Sequence, residues 1–262
     1  MLRTILLIGI LVLLAQPAFG FDLESARMVD LTHTLDEDTL YWPTSPSRFE
    51  KQELAYGPTA AGWFYSAFKV CTPEHGGTHL DAPLHFAENG LPTDRIPLSQ
   101  LIAPAVVIDV AEKAAKAPEF VLSRKDVQAF EKAHGKVPEG AIVLLRTGWS
   151  RHWPKAKAYL GDDTPGDASK LRFPSYGAEA ARLLVEERRV ALLGVDTASI
   201  DVGSSKDFPV HRIAAARDVG GLENLTALDQ LPATGAWVLA LPLKIGGGSG
   251  GPARVVALVP ES

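Results

Sequence analysis

The chain has 262 residues, 46% of them hydrophobic, and a formal net charge of -5 from 26 Lys and Arg against 31 Asp and Glu. That length can bury a sizeable core in one large domain, and the composition excludes a disordered chain. The acidic balance, with no basic stripe interleaved with aromatics, argues against a nucleic-acid partner.

The first twenty residues stand apart. MLRT gives a positive start, ILLIGILVLLA is an apolar run of about 11 residues, and QPAFG places small residues at Ala18 and Gly20. The run is short against the ~20 residues of a membrane span. The pattern reads as a secretory signal cleaved after Gly20. It leaves one domain over 21–262, secreted or periplasmic, with no stable membrane anchor.

Residues 28–35 read as a short strand, and LYWPTSP (40–46) as a loop with two prolines and two aromatics. FYSAFKVC (64–71) reads as a strand ending in the single cysteine, Cys71, taken as a core residue. One cysteine cannot form an intrachain disulfide. A further strand is expected over 103–110. Ser123 and Asp126 fit a capping box for a helix running to Gly135, where His134 suits the C-terminal end of the dipole. A buried strand over 140–148 precedes a long polar excursion (152–173) that contains His152. A helix over 175–189, a strand over 190–196, a short helix or turn over 221–232, and strands over 236–245 and 253–260 complete the chain. GGGSGG (246–251) reads as a tight loop, because no Lys-Ser/Thr follows as in a phosphate loop. GGGSGG fits GxGxxG and GxSxG as bare spacings, but it lies between two expected strands and opens neither a βαβ unit nor a strand-to-helix elbow. A nicotinamide cofactor and a serine nucleophile therefore have no visible home. The alternation of strands and helices predicts an α/β fold with a mixed, barrel-like β core.

The chemistry concentrates in EHGGTHLDAPLH, Glu74 to His85, which holds three of the seven histidines. His75, His79, Asp81 and His85 are all odd-numbered, so an extended segment would point them one way. Gly76, Gly77 and Pro83 disfavour a helix. Imidazole and carboxylate together suit zinc, manganese or iron. Ligands from elsewhere would have to complete the site. His211 and Glu223 are candidates, since both are expected in irregular segments after the strand ending at Asp196, where ligand sites are common. His33 can orient a ligand or be structural. Asp196 and Asp201 can line the site or cap turns.

The stretch H75-G-G-T-H79-L-D81-A-P83-L-H85 resembles the signature of the cyclase family of metal-dependent hydrolases, which includes bacterial kynurenine formamidase and isatin hydrolase. Further resemblance runs through DLTHTL (30–35), LYWP (40–43), RTGW (146–149), GVDTASID (194–201), FPVHR (208–212), LENLTALDQLP (222–232) and PLKIGGGSGGPARVVAL (242–258). The resemblance implies a swivelling β/β/α domain. It implies a divalent-metal site, Zn2+ or Mn2+ and binuclear, held by His75, His79, Asp81, His211 and Glu223. His85 would be the acid–base histidine and Trp42 an aromatic that packs on a small-molecule substrate. A homodimer or homotetramer is also implied. The expected reaction is hydrolysis of a formamide or cyclic amide. Opening of a lactone, dehydration or cyclisation of a carboxylic substrate, and a catalytically silent metal-binding protein are the alternatives. The Asn224-Leu225-Thr226 sequon adjoins Glu223, so that stretch is expected to be partly buried and without a glycan.

Overall fold

The computed structural model describes residues 25–260. The signal sequence read over 1–20 lies outside them. The strands are β1 (Arg27–Asp30), β2 (Glu50–Pro58), β3 (Phe64–Cys71), β4 (His79–Asp81), β5 (Ile102–Asp109), β6 (Val121–Leu122), β7 (Ile142–Arg146), β8 (Ser175–Tyr176), β9 (Leu192–Val195), β10 (Gly220–Glu223), β11 (Ala236–Pro242) and β12 (Gly250–Val259). The α-helices are α1 (Leu98–Leu101), α2 (Ala111–Lys116), α3 (Arg124–His134), α4 (Ala156–Leu160), α5 (Ala178–Arg182) and α6 (Pro209–Ala215).

The main sheet runs β1-β12-β11-β5-β7-β9-β10-β4, and β4 also pairs with the start of β12. Seven strands thereby close into a barrel, with β1 lying along β12 as a flank. The pairings β5–β7, β7–β9 and β9–β10 are parallel, while those of β4, β11 and β12 are antiparallel. The expected α/β fold with a mixed, barrel-like core is the one observed.

The period-2 geometry of a strand explains the apolar runs. In β5, β7 and β9, Val106, Ile108, Val143, Leu145, Leu193 and Val195 face outward, against Val127 and Phe130 of α3, Ala181 of α5 and Val210 of α6. Their neighbours Ala105, Val107, Ile142, Leu144 and Leu192 face inward, meeting Leu80, Leu222, Val238 and Val255 in the barrel. Parallel strands buried on both faces require such near-continuous hydrophobic sequence. A smaller cluster of Leu40, Trp149, Tyr159, Leu160, Leu171 and Phe173 lies where the polar excursion packs back on the body.

Helix α3 begins as the sequence predicts, with both arms of the Ser123–Asp126 capping box formed, and ends at Gly135 with φ 90°. The helix expected over 175–189 opens as α5 and continues as a π-turn over Leu183–Glu187. Four expectations need correction. Cys71 ends a strand but is exposed, because β2 and β3 pair only with each other and form a ribbon solvated at most positions. His211 sits in α6, where Pro209 at the first helical position starts a helix. Glu223 ends β10, since Gly220 and Gly221 admit close packing against Leu192 and Ile200 beside β4. Finally, the His75–His85 stretch is extended only over β4, and a 3-10 turn over Pro83–His85 follows.

Candidate active site

Strands β4 and β10 pair antiparallel with Glu223 opposite His79, which brings ligand-type groups more than a hundred residues apart into one register. His79 and Asp81, two residues apart in β4, share a face. Gly77, with φ 59°, turns the chain sharply enough for His75 to fold back over that face. His75 Nδ1 then lies 2.6 Å from Asp81 Oδ1, and His79 Nε2 lies 3.1 Å from the same oxygen. On the other side, His211 Nε2 is 3.1 Å from Asp81 Oδ2 and 3.2 Å from Glu223 Oε1. His79 Nε2 and Glu223 Oε2 are 3.6 Å apart. Two clusters result, His75–His79–Asp81 and Asp81–His211–Glu223, with Asp81 common to both.

The hydrogen bonds set which imidazole nitrogen is available. His79 Nδ1 donates to the Gly77 carbonyl at 2.9 Å, and His211 Nδ1 donates to Asp201 Oδ2 at 2.7 Å. In the neutral ring each Nε2 then presents a lone pair to carboxylate oxygens. Lone pairs at such separations require a cation between them. Asp81, His79, His211 and Glu223 are all at most 6% exposed, so bulk water does not supply the screening. Without a metal ion, protons take its place. Burial alone would depress His79, but the Asp81 charge and hydrogen bond, with Glu223, raise it to about 9. Burial is likewise outweighed at His211, raised by Asp201, Asp81 and Glu223, and at Asp81, held well below the usual carboxylate range by the histidines. The nitrogen and oxygen donors and their mutual spacing fit a divalent cation.

Above the clusters opens a pocket of about 400 Å³. Trp42, Phe86, Phe208 and Leu160 form its apolar wall, and none of its described lining residues is Lys or Arg. Trp42 lies in it, 6.2 Å from the Phe208 ring and edge-on to Phe173 at 6.3 Å. His85 lines it too, stacked on His75 with ring centres 3.9 Å apart. Its ring remains accessible from the pocket, while burial by the protein around it lowers its pKa to about 4, only partly countered by the Asp81 charge.

Asp201 caps a helix and holds a candidate ligand at once. It accepts from the Val210 and His211 amides at the start of α6 and from the His211 ring. Asp196 instead accepts from Thr147 and Gly148 in a turn outside the pocket lining. His33 is packed face to face on Trp153 at 4.3 Å, and its backbone, not its ring, meets Thr78. Asn224 is 4% exposed, with its amide committed to Tyr159 and the Gly77 carbonyl, which leaves no place for a glycan in the folded chain. Sequence reasoning missed Phe86 and Phe208. Phe86 adjoins the signature and Phe208 opens FPVHR, but nothing in either stretch marks the ring as pocket-lining, and Phe208 takes a left-handed φ of 47°.

The Cyclase family profile matches residues 29–202. An isatin hydrolase of Roseibium aggregatum is 35% identical over 210 residues, covering 77% of this chain and 78% of the relative. A kynurenine formamidase of Salinibacter ruber is 27% identical over 235 residues, covering 87% of this chain and 96% of that one. Among solved structures, isatin hydrolase A from Labrenzia aggregata bound to benzyl benzoate superposes with a TM-score of 0.83 at 36% identity, covering 91% of this chain and 95% of the other. An isatin hydrolase bound to the product analogue thioisatinate gives a TM-score of 0.83 at 30% identity, covering 91% and 94%.

Proposed function

The chain belongs to the Cyclase family, and from that membership we propose that it hydrolyses the C–N bond of a small aromatic amide in a metal-dependent reaction. The observation that carries this reading is the pair of His/Asp/Glu clusters joined at Asp81 on the floor of an aromatic pocket. His75 and His79 would hold one ion and His211 and Glu223 a second, with Asp81 contributing to both. Zn2+ and Mn2+ would both suit this donor set. A divalent ion held there supplies Lewis acidity, which makes water nucleophilic near neutral pH and polarises an amide carbonyl. The protein does the rest. Trp42, Phe86 and Phe208 grip a flat ring and exclude water. His85, unprotonated at neutral pH, reaches the pocket without a place in either cluster. It takes the proton from the attacking water and returns it to the leaving nitrogen.

The absence of Lys and Arg from the described pocket lining favours a substrate without a carboxylate. A neutral cyclic amide such as isatin fits this better than an amino-acid formamide. The test is turnover by the metal-loaded protein of isatin, an N-formylated arylamine and an aromatic lactone. Hydrolysis of isatin above the formamide is expected. Lactone turnover alone would replace the amide reading, and no turnover with both ions bound would make the chain a silent metal binder. Metal content of two ions per chain is expected, and one would sink the binuclear assignment.

Export rests on the 1–20 pattern, which precedes a single domain over 21–262. No helix among the described residues is long and apolar enough to cross a membrane. Recovery of an unprocessed chain in the cell would refute export. The assembly is a homodimer or homotetramer, a reading supported by Tyr56, Phe64, Phe68 and Val70, which share one exposed face of the β2–β3 ribbon. A monomer mass by light scattering would refute it.

A further inference from the structure

The GGGSGG loop, which the sequence marks only as a turn, reaches the first cluster. Ser249 lies at its centre, and its hydroxyl is 2.6 Å from Glu74 Oε2 and 2.9 Å from His75 Nε2. The Ser249 amide donates to the same Glu74 oxygen at 3.0 Å. A hydroxyl has one proton. With that proton given to the carboxylate, the oxygen can only accept from His75, so the His75 ring carries its hydrogen on Nε2. The nitrogen left with a lone pair is Nδ1, the one 2.6 Å from Asp81 Oδ1. His79 and His211 are held the opposite way round, with Nδ1 donating and Nε2 free.

The glycines beside Ser249 make this approach possible. A Cβ on Gly250 would lie 2.6 Å from His75 Cε1 and 2.7 Å from the Leu80 carbonyl oxygen. A Cβ on Gly248 would lie 2.8 Å from Glu74 Oε1. The loop is itself pinned, since the Ser249 carbonyl accepts from the Ala82 amide and Thr93 bonds the Gly248 and Gly250 carbonyls. The two glycines therefore bracket the serine so that backbone packs against the His75 ring and the Glu74 carboxylate at once.

We propose that Glu74 and Ser249 form a positioning relay that fixes the His75 tautomer, so that His75 binds the metal through Nδ1 while His79 and His211 bind through Nε2. The relay rests on the metal-dependent reading above and adds to it two residues that touch neither metal nor substrate. Partners of this kind at a ligating histidine typically change metal affinity 10–100-fold when removed.

The experiment measures metal dissociation constants by chelator competition for the wild type, Ser249→Ala, Ser249→Thr and Glu74→Gln. The 15N imidazole shifts of the zinc-loaded wild type and variants are recorded alongside. Ser249→Ala is expected to weaken one ion about 10–100-fold, and Ser249→Thr, which keeps the hydroxyl, to stay near wild type. One Nδ1-ligated histidine is expected in the wild type, assigned to His75, with the assignment lost or mixed in Ser249→Ala. Wild-type affinity in both Ser249→Ala and Glu74→Gln, or Nε2 ligation by His75, would overturn the relay. Glu74→Gln carries the test if Ser249→Ala does not fold. Amide turnover of the wild type separates the two claims. Ion binding without turnover removes the function and leaves the relay, and unchanged affinity in the variants removes the relay and leaves the function.

Discussion

At the scale of single residues, His85 and its neighbours divide by what their nitrogens touch. The rings of His79 and His211 have both nitrogens in polar contacts with the cluster and its supports, whereas His85 meets its neighbours through ring contacts, stacked on His75 and T-shaped against Phe86. Replacing His85 by Ala is therefore expected to lower kcat about 10²–10⁴-fold while metal content stays at the wild-type level. Atomic absorption on the purified variant checks it, and loss of an ion with the ring would make His85 a ligand. Much of this site was legible in the sequence, because His75, His79, Asp81 and His85 sit within one short signature. What spacing misjudged was the means of convergence. The four do not line one extended face; a left-handed Gly77 folds His75 back, and a 3-10 turn carries His85.

At the scale of elements, local signals read well where their physics is local. The Ser123–Asp126 box needs only neighbouring residues, and α3 starts where it predicts. Ser123→Ala is expected to cost about 1 kcal/mol of stability without changing turnover, as chemical denaturation and an assay would report. A loss of activity at unchanged stability would mean that α3 communicates with the pocket. Elements whose partners are distant were harder to see. The sequence reads Glu223 in a short helix or turn, since GGLE has no strand pattern of its own. Its strand exists because β9 and β4 flank it. The β2 strand was missed for the opposite reason, since its EKQELAYGP sequence has no buried face to impose alternation.

Across the whole molecule, stability should respond to acid through groups outside the site. His33 is stacked on Trp153, its Nε2 is buried without a hydrogen bond, and burial lowers its pKa from 6.5 to about 4. The unfolded chain therefore takes up this proton first as pH falls. The contribution of His33 is level above about pH 6.5, destabilises progressively between about 6.5 and 4, and is level again below. Allowing for its partial exposure, the change is on the order of 1–2 kcal/mol. Melting curves of His33→Phe against wild type at pH 7 and pH 4.5 check it. The variant should lose less stability on acidification, and parallel losses would contradict the assignment.

The three residues of β4 hold the barrel shut between β10 and β12, and two of them, His79 and Asp81, belong to the metal clusters. Barrel closure and the candidate metal site thus share one seam. An ion bound there would work as a rivet, its binding free energy adding to that of folding, about 2.7 kcal/mol at a hundredfold excess over Kd. Chelation should lower the melting temperature and speed amide exchange first at Leu80 and Leu222, which face each other across the seam, while Leu144 in β7 exchanges as before. Uniform acceleration through all strands would show that the barrel opens as a unit.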